Sequence, residues 1–277
     1  MKFRLKKCRK SLIGDAMAAN TKAKGKKKRR SQNAQANAVQ KLYDACKVVF
    51  ASTYTGFVPS LHNLEMLRAI LDDMSAIDVG LHSDMPYFRN QNPTSITYLH
   101  IFENEHFSVR TFPKHLVTSL TKPPSQMGIF CLPPSSVIPL HNHPGMTVFS
   151  KLLFGTMHVK SYDWDEDPEA CKHSSGEEEK PRLAKVKMDR EVTAPCEATI
   201  LYPAGGGNMH CFTAITACAI LDVLGPPYSS PDGRHCTYFS NCGIEEEREG
   251  YAWLEEIKKP EEMVMVGEMY AGSRILK

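Results

Sequence analysis

"IPLHNHPGMTVFSKLLFGTMHVKSYDW", residues 138–164, sets His141 and His143 one residue apart in an otherwise apolar, β-branched stretch. Pro144-Gly145 and Gly155 punctuate it as turns between strands. Alternate residues of a strand share a face, so the two imidazoles stand side by side at a spacing one metal ion can bridge. By itself the pair leaves two readings open: metal ligands, or two polar residues on an edge strand.

Working outward, the β signal runs from about residue 96 to "RHCTYFS" (234–240) as short strands separated by Pro and Gly turns. Such spacing predicts an antiparallel sandwich or barrel. "LYPAGGGNMHCFTAI" (201–215) is a Pro/Gly turn that delivers His210 onto the start of another strand, from which a third imidazole can join the first two. "DEDPEACKHSSGEEEKP" (165–181) is polar and turn-rich and is expected to be an exposed loop. Two amphipathic helices precede the strands. Val39, Leu42, Tyr43, Cys46, Val49 and Phe50 fall at helical spacing, as do Leu64, Leu67, Ile70 and Leu71 behind an N-cap at Ser60.

Charge is unevenly placed. Residues 1–30 hold 13 of the 34 Lys and Arg against one acid, Asp15, which leaves 21 basic and 30 acidic residues in the rest, a net of −9. Residues 1–36 lack apolar periodicity and are expected to be a disordered basic tail. Its dense "KAKGKKKRR" (22–30) suits a nuclear import receptor, and its acid-poor composition also fits a transit peptide. An acidic body excludes a nucleic-acid-binding domain as the main function and leaves only weak contact through the tail. No apolar run approaches the roughly 18–20 residues of a membrane span, so no membrane association is expected. Nine cysteines without a CxxC fit neither a disulfide scaffold nor a zinc ribbon and read as small buried residues in a reducing compartment.

The pairing of HxH with a later strand histidine after a Gly-rich turn resembles the cupins, which hold a metal in the mouth of a β-barrel. In the cupin pattern a Glu follows HxH and then a Gly. Here Val148, or Thr147 at the shorter spacing, stands where the Glu would be, ahead of Gly155. Three neutral histidines leave the full +2 charge on a metal, which favours an anionic ligand such as a thiolate. Sites of this kind resemble those of the thiol dioxygenases, with Fe(II) bound.

Longer stretches narrow the likeness. "LHNHPGMTVFSKLLFGTMHVKSYDW" (140–164) and "HCFTAITACAILDVLGPPYSSPDGRHCTY" (210–238), extended by "QKLYDACKVVF", "NLEMLRAILDDM" and "GYAWLEE", look like the plant cysteine oxidases, relatives of animal cysteamine dioxygenase. The likeness covers about residues 40–265. It implies a mainly β, cupin-type double-stranded β-helix barrel with N-terminal helices at 37–80, a catalytic domain over 81–265 and a C-terminal tail over 266–277.

It also implies a monomeric non-haem iron enzyme of nucleus and cytoplasm that adds both atoms of O2 to the thiol of an N-terminal cysteine. The partners implied are Cys-initiating proteins such as ethylene-response transcription factors, whose sulfinic N-termini enter the arginylation branch of the N-degron pathway. His141, His143 and His210 would ligate the metal. Asp222, an acid in apolar "CAILDVLGPP", matches the family's active-site Asp and would position substrate. Tyr228, after two prolines, would hydrogen-bond substrate or oxygen. Cys236 and Tyr238 read as core or rim residues, and His158 as packed or outward-facing. The remaining histidines show no partner pattern.

"AGGG" (204–207) lacks the Lys-Ser/Thr of a phosphate loop, so no NAD, flavin or 2-oxoglutarate site is expected. "VRTFPKHLVTSLTKPPSQ" (109–126) departs from the family as an insertion within a strand. Two other functions fit the same motifs: a cupin acting on a small molecule, and a metal-free cupin serving as a scaffold.

Overall fold

The computed structural model describes residues 38–51, 54–89, 95–102, 125–165, 181–243 and 249–276. The expected basic tail, most of the acidic loop and residues 109–124 of the insertion lie outside the described residues.

Helix α1 spans residues 38–49 and buries Val39, Leu42, Tyr43, Cys46 and Val49, with Phe50 beyond it, as their spacing predicts. Helix α2, Leu61–Asp72, is capped by the Ser60 hydroxyl, which accepts from the Asn63 amide at 3.4 Å, and it buries Leu64, Leu67 and Leu71.

Among the described residues twelve strands follow: β1 Ser95–Phe102, β2 Gln126–Leu132, β3 Val137–Asn142, β4 Thr147–Phe154, β5 Thr156–Trp164, β6 Arg182–Thr193, β7 Thr199–Leu201, β8 Met209–Ala214, β9 Cys218–Gly225, β10 Tyr238–Asn241, β11 Tyr251–Ile257 and β12 Val264–Met269. One sheet runs β12-β1-β2-β9-β4-β7, and the second closes as β10-β11-β6-β5-β8-β3. This is the mainly β, cupin-type architecture expected from sequence.

Two apolar cores explain the strand compositions. One lies between the helices and the first sheet, joining Leu42, Phe50, Leu67 and Leu71 to Ile129, Phe149, Leu221 and Val223. The other joins the inner faces of the two sheets through Leu152, Val159, Phe212 and Ile220. Strands β4 and β9 serve both cores, so they are buried on both faces and read as unbroken apolar runs. Strand β6 has its outer face in water and alternates.

Gly155 turns β4 into β5 at φ +91°. A Cβ there would fall 2.2 Å from the Ala217 carbonyl, so glycine is required on two counts.

The structure carries the sheet beyond the boundary expected at residue 265. Val264–Met269 form β12, parallel to β1 in the register Ser95↔Val264 to His100↔Met269. Parallel pairing with a strand so distant in sequence has no local turn signal, which is why the segment reads as a tail.

Candidate metal centre

Strands β3 and β8 pair antiparallel with His141 directly opposite His210, after a register shift between Ile138 and His141. His143 follows β3 by one residue and, by strand alternation, returns to the face of His141. The three ring centroids are 4.7–5.0 Å apart. One ring nitrogen from each lies within 4.8 Å of the others, and this is the metal-competent cluster among the described residues. All three residues are buried.

Each ring's orientation has a cause. His141 Nδ1 lies 2.8 Å from the Pro139 carbonyl and donates to it, which leaves Nε2 a free acceptor. The Tyr228 hydroxyl donates to the Asn142 carbonyl at 2.8 Å, and its oxygen accepts a hydrogen bond from His143 Nδ1–H at 2.8 Å, so the Nε2 lone pair of His143 also faces away from its partner. His143 Nε2 and His210 Nε2 are 3.2 Å apart. Two donors at about 2.1 Å from one ion sit roughly 3.0–3.4 Å apart, so that spacing fits a shared cation.

Burial holds all three histidines below the usual imidazole range, helped at His143 and His210 by the neighbouring rings, so they are neutral and able to ligate. The residues present therefore fit a metal ion held by three imidazoles. Val148, at the place of the missing carboxylate, is fully buried among Met146, Leu201 and Leu224.

Asp222 lies on β9 opposite Ser150 of β4, whose hydroxyl donates to its carboxylate. Burial raises Asp222 to about 7, against the lowering effect of the Ser150 bond. Its field and those of Cys236 and Tyr238 reach Tyr228, whose hydroxyl burial pushes well up. Tyr238 stands opposite His141 in the β10–β3 pair, with its ring 6.3 Å away. The structure brings His141, His143, His210 and Tyr228 into contact; Asp222 is linked to them through its electrostatic effect on Tyr228, and Cys236 and Tyr238 lie beside Tyr228.

The Tyr228 hydroxyl is bonded to the Asn142 carbonyl and to His143. His158 faces outward, one of the two readings its sequence allowed, with its Nε2 2.8 Å from Asp189 Oδ1.

A cavity of about 580 Å³ opens beside His210. Its lining includes His210, Ser150, Phe212 and Ile220 within, and Arg68, Arg190 and Glu197 at the charged end. Arg68 and Glu197 form an ion pair across that end. Sequence reading missed Ser150 as the partner of Asp222, because one serine in an apolar run carries no motif.

The sequence is similar to those of known proteins. The family model PCO_ADO matches residues 117–275. Plant cysteine oxidase 2 of Arabidopsis thaliana is 51% identical over 95% of this chain and 92% of its own length, and plant cysteine oxidase 1 of the same plant is 50% identical over 86% and 80%. The 2-aminoethanethiol dioxygenase of Mus musculus is 27% identical over 77% of this chain and 85% of its own. Matched over more than half its length by the family model, and at about half identity over nearly all of it by a curated relative, the chain belongs to the PCO_ADO family and is a dioxygenase enzyme of cupin fold.

Proposed function

We propose that this enzyme oxidises the N-terminal cysteine of target proteins to cysteine sulfinic acid with O2, using Fe(II) held by His141, His143 and His210. The observation that carries the reading is the set of three neutral, buried imidazoles with no carboxylate among them, one of which, His210, lines a cavity. A ferrous ion held by these three residues would supply the redox chemistry by which a thiolate can react with dioxygen.

The protein's own residues do the rest. Pro139 and Tyr228 fix the tautomers of His141 and His143. Asp222, poised near neutrality with Ser150, accepts a hydrogen bond from the substrate's amino group or thiol and so orients it. The apolar wall of Leu152, Val159 and Phe212 excludes water.

The cavity volume falls within the range of roughly 300–1,000 Å³ typical of ligand sites and has room for a peptide end beyond a free amino acid. The names of the plant relatives support cysteine as the residue oxidised. We assign the enzyme the oxygen-sensing step of the N-degron pathway, acting as a monomer in nucleus and cytoplasm on Cys-initiating proteins of the ethylene-response class.

The test is aerobic incubation of the iron-loaded protein with a short peptide beginning in Cys, read by mass. A gain of two oxygens is expected, together with stoichiometric O2 uptake and no reaction of a Ser-initiating control. An unchanged peptide from protein with full iron occupancy would overturn the reading in favour of a small-molecule substrate. Absence of iron binding would favour the scaffold.

A further inference from the structure

The β3–β8 ladder ends at the pair Asn142↔Met209, one residue short of His143. Just past the end of the ladder His143 has no strand partner; its carbonyl accepts from the Met146 amide of the turn that follows, at 3.2 Å, and the residue is buried. The side chain of Asn208 supplies the missing rung. Its Oδ1 accepts from the His143 amide at 3.1 Å, and its Nδ2 donates to the His143 carbonyl at 2.9 Å. A second donation from Nδ2, at 2.7 Å to the Tyr202 carbonyl, fixes the amide's own orientation. A carboxamide reproduces the donor and acceptor of a peptide group, so here it stands in for the next residue of the strand.

Asn208 is itself anchored from outside the cluster. Asp163, near the end of β5, accepts three successive amides: Gly206 at 3.0 Å, Gly207 at 2.8 Å and Asn208 at 3.2 Å. Lys187 Nζ, 3.7 Å from Asp163 Oδ2, balances that carboxylate. The turn is tight: Gly206 and Gly207 take φ of +78° and +81°, and a Cβ on Gly207 would lie 2.5 Å from Ser161 Oγ. His210 follows this turn by three residues. The turn pinned by Asp163 therefore leads both to His210 and to the amide that holds His143.

We propose that Asn208, held by Asp163, is the positioning residue for His143: it fixes the ligand's backbone while Tyr228 fixes its ring, and neither Asn208 nor Asp163 touches the metal. The inference rests on His143 being a metal ligand. Its test uses metal binding, which does not depend on the substrate. Co(II) is titrated into the full-length metal-free chain, with affinity taken from chelator competition and geometry from visible absorption.

Asn208→Ala is expected to fold, by far-UV circular dichroism, and to lose about 10–100-fold in Co(II) affinity with an altered spectrum. Asn208→Asp keeps the shape but sets a carboxylate against two carbonyls, and the same loss is expected. Asp163→Asn keeps one acceptor oxygen and should lose severalfold.

A folded Asn208→Ala protein with wild-type affinity and spectrum overturns the proposal, since a purely structural clamp would lower only stability. Should Asn208→Ala fail to fold, wild-type Co(II) affinity in Asn208→Asp or Asp163→Asn overturns it equally. In the control His143→Ala, unchanged affinity would instead refute the ligand reading beneath it.

Discussion

A single proton separates the two states of Asp222, and its setting fixes which is preferred. Burial raises it to about 7 from the 3.8 of a free carboxyl, so the folded protein binds that proton more tightly than the unfolded chain. Stability from this group is therefore complete below about pH 4 and is lost as pH rises to about 7, by an amount on the order of 4 kcal/mol. The three histidines act in the opposite sense: held below 6.5, they add stability as pH rises towards that value. Asp222→Asn removes only the first effect. In the metal-free protein, denaturant unfolding across pH 4–8 should show the variant gaining on wild type as pH rises, and a constant gap would refute the raised value. With iron bound, the variant should retain the metal and lose most peptide oxidation. His210→Ala removes one of three donors and should abolish both iron retention and turnover. Wild-type occupancy in that variant would contradict the ligand assignment. These five side chains were legible beforehand because each breaks a pattern: a histidine in a β-branched strand, an acid in an apolar run, a tyrosine after two prolines.

Strand β4 shows what sequence does not reveal about an element. It is buried on both faces, yet it carries Lys151, whose side chain is 4% exposed. Lys151 Nζ donates to the Asp72 carbonyl at 3.2 Å and to the Cys196 carbonyl, and lies 3.6 Å from the Asp72 carboxylate. Asp72 in turn accepts from the Ala198 amide at 2.6 Å. The end of α2, the middle of β4 and the 196–198 segment at the cavity's rim are thus joined through one ammonium group. Nothing near residue 151 announces this, because all of its partners are distant in the chain, and the same holds for the parallel seat of β12 on β1. The strands were legible from alternation and turns, whereas the contacts between elements follow from the folded arrangement. Lys151→Ala removes the donor to two carbonyls and leaves the Asp72 carboxylate with Arg68, 3.7 Å away, as its remaining cation. It should lower stability by about 2–4 kcal/mol, seen as a fall in urea midpoint at unchanged slope. Because the rim loosens with it, KM for peptide should rise more than kcat falls, and parallel losses in both would detach the rim from substrate binding.

Over the whole molecule, the two helices are part of the enzyme's body, while the basic segment before them is a separate matter. Helix α1 inserts Val39, Leu42, Tyr43, Cys46, Val49 and Phe50 into the core shared with the first sheet. At about 1.5–3 kcal/mol for each large apolar side chain, their removal would cost on the order of 10 kcal/mol, comparable to the 5–15 kcal/mol that stabilises a whole domain. The chain's far end is tied to the same helix: Gln40 accepts from the Leu276 amide at 2.7 Å and donates to its carbonyl at 3.1 Å. The folded body therefore includes α1 and does not start at the first strand. Two truncations separate the parts. Removing residues 1–36 should leave thermal midpoint, iron content and peptide oxidation unchanged while withdrawing 13 positive charges; on the proposed import role of that segment, a fluorescent fusion of the full chain should enter the nucleus and one of the truncated chain should not. Removing residues 1–50 should give insoluble or unfolded protein. A soluble, active product from the longer truncation would show that the barrel stands without α1, and an inactive product from the shorter one would place part of the catalytic machinery in the basic segment.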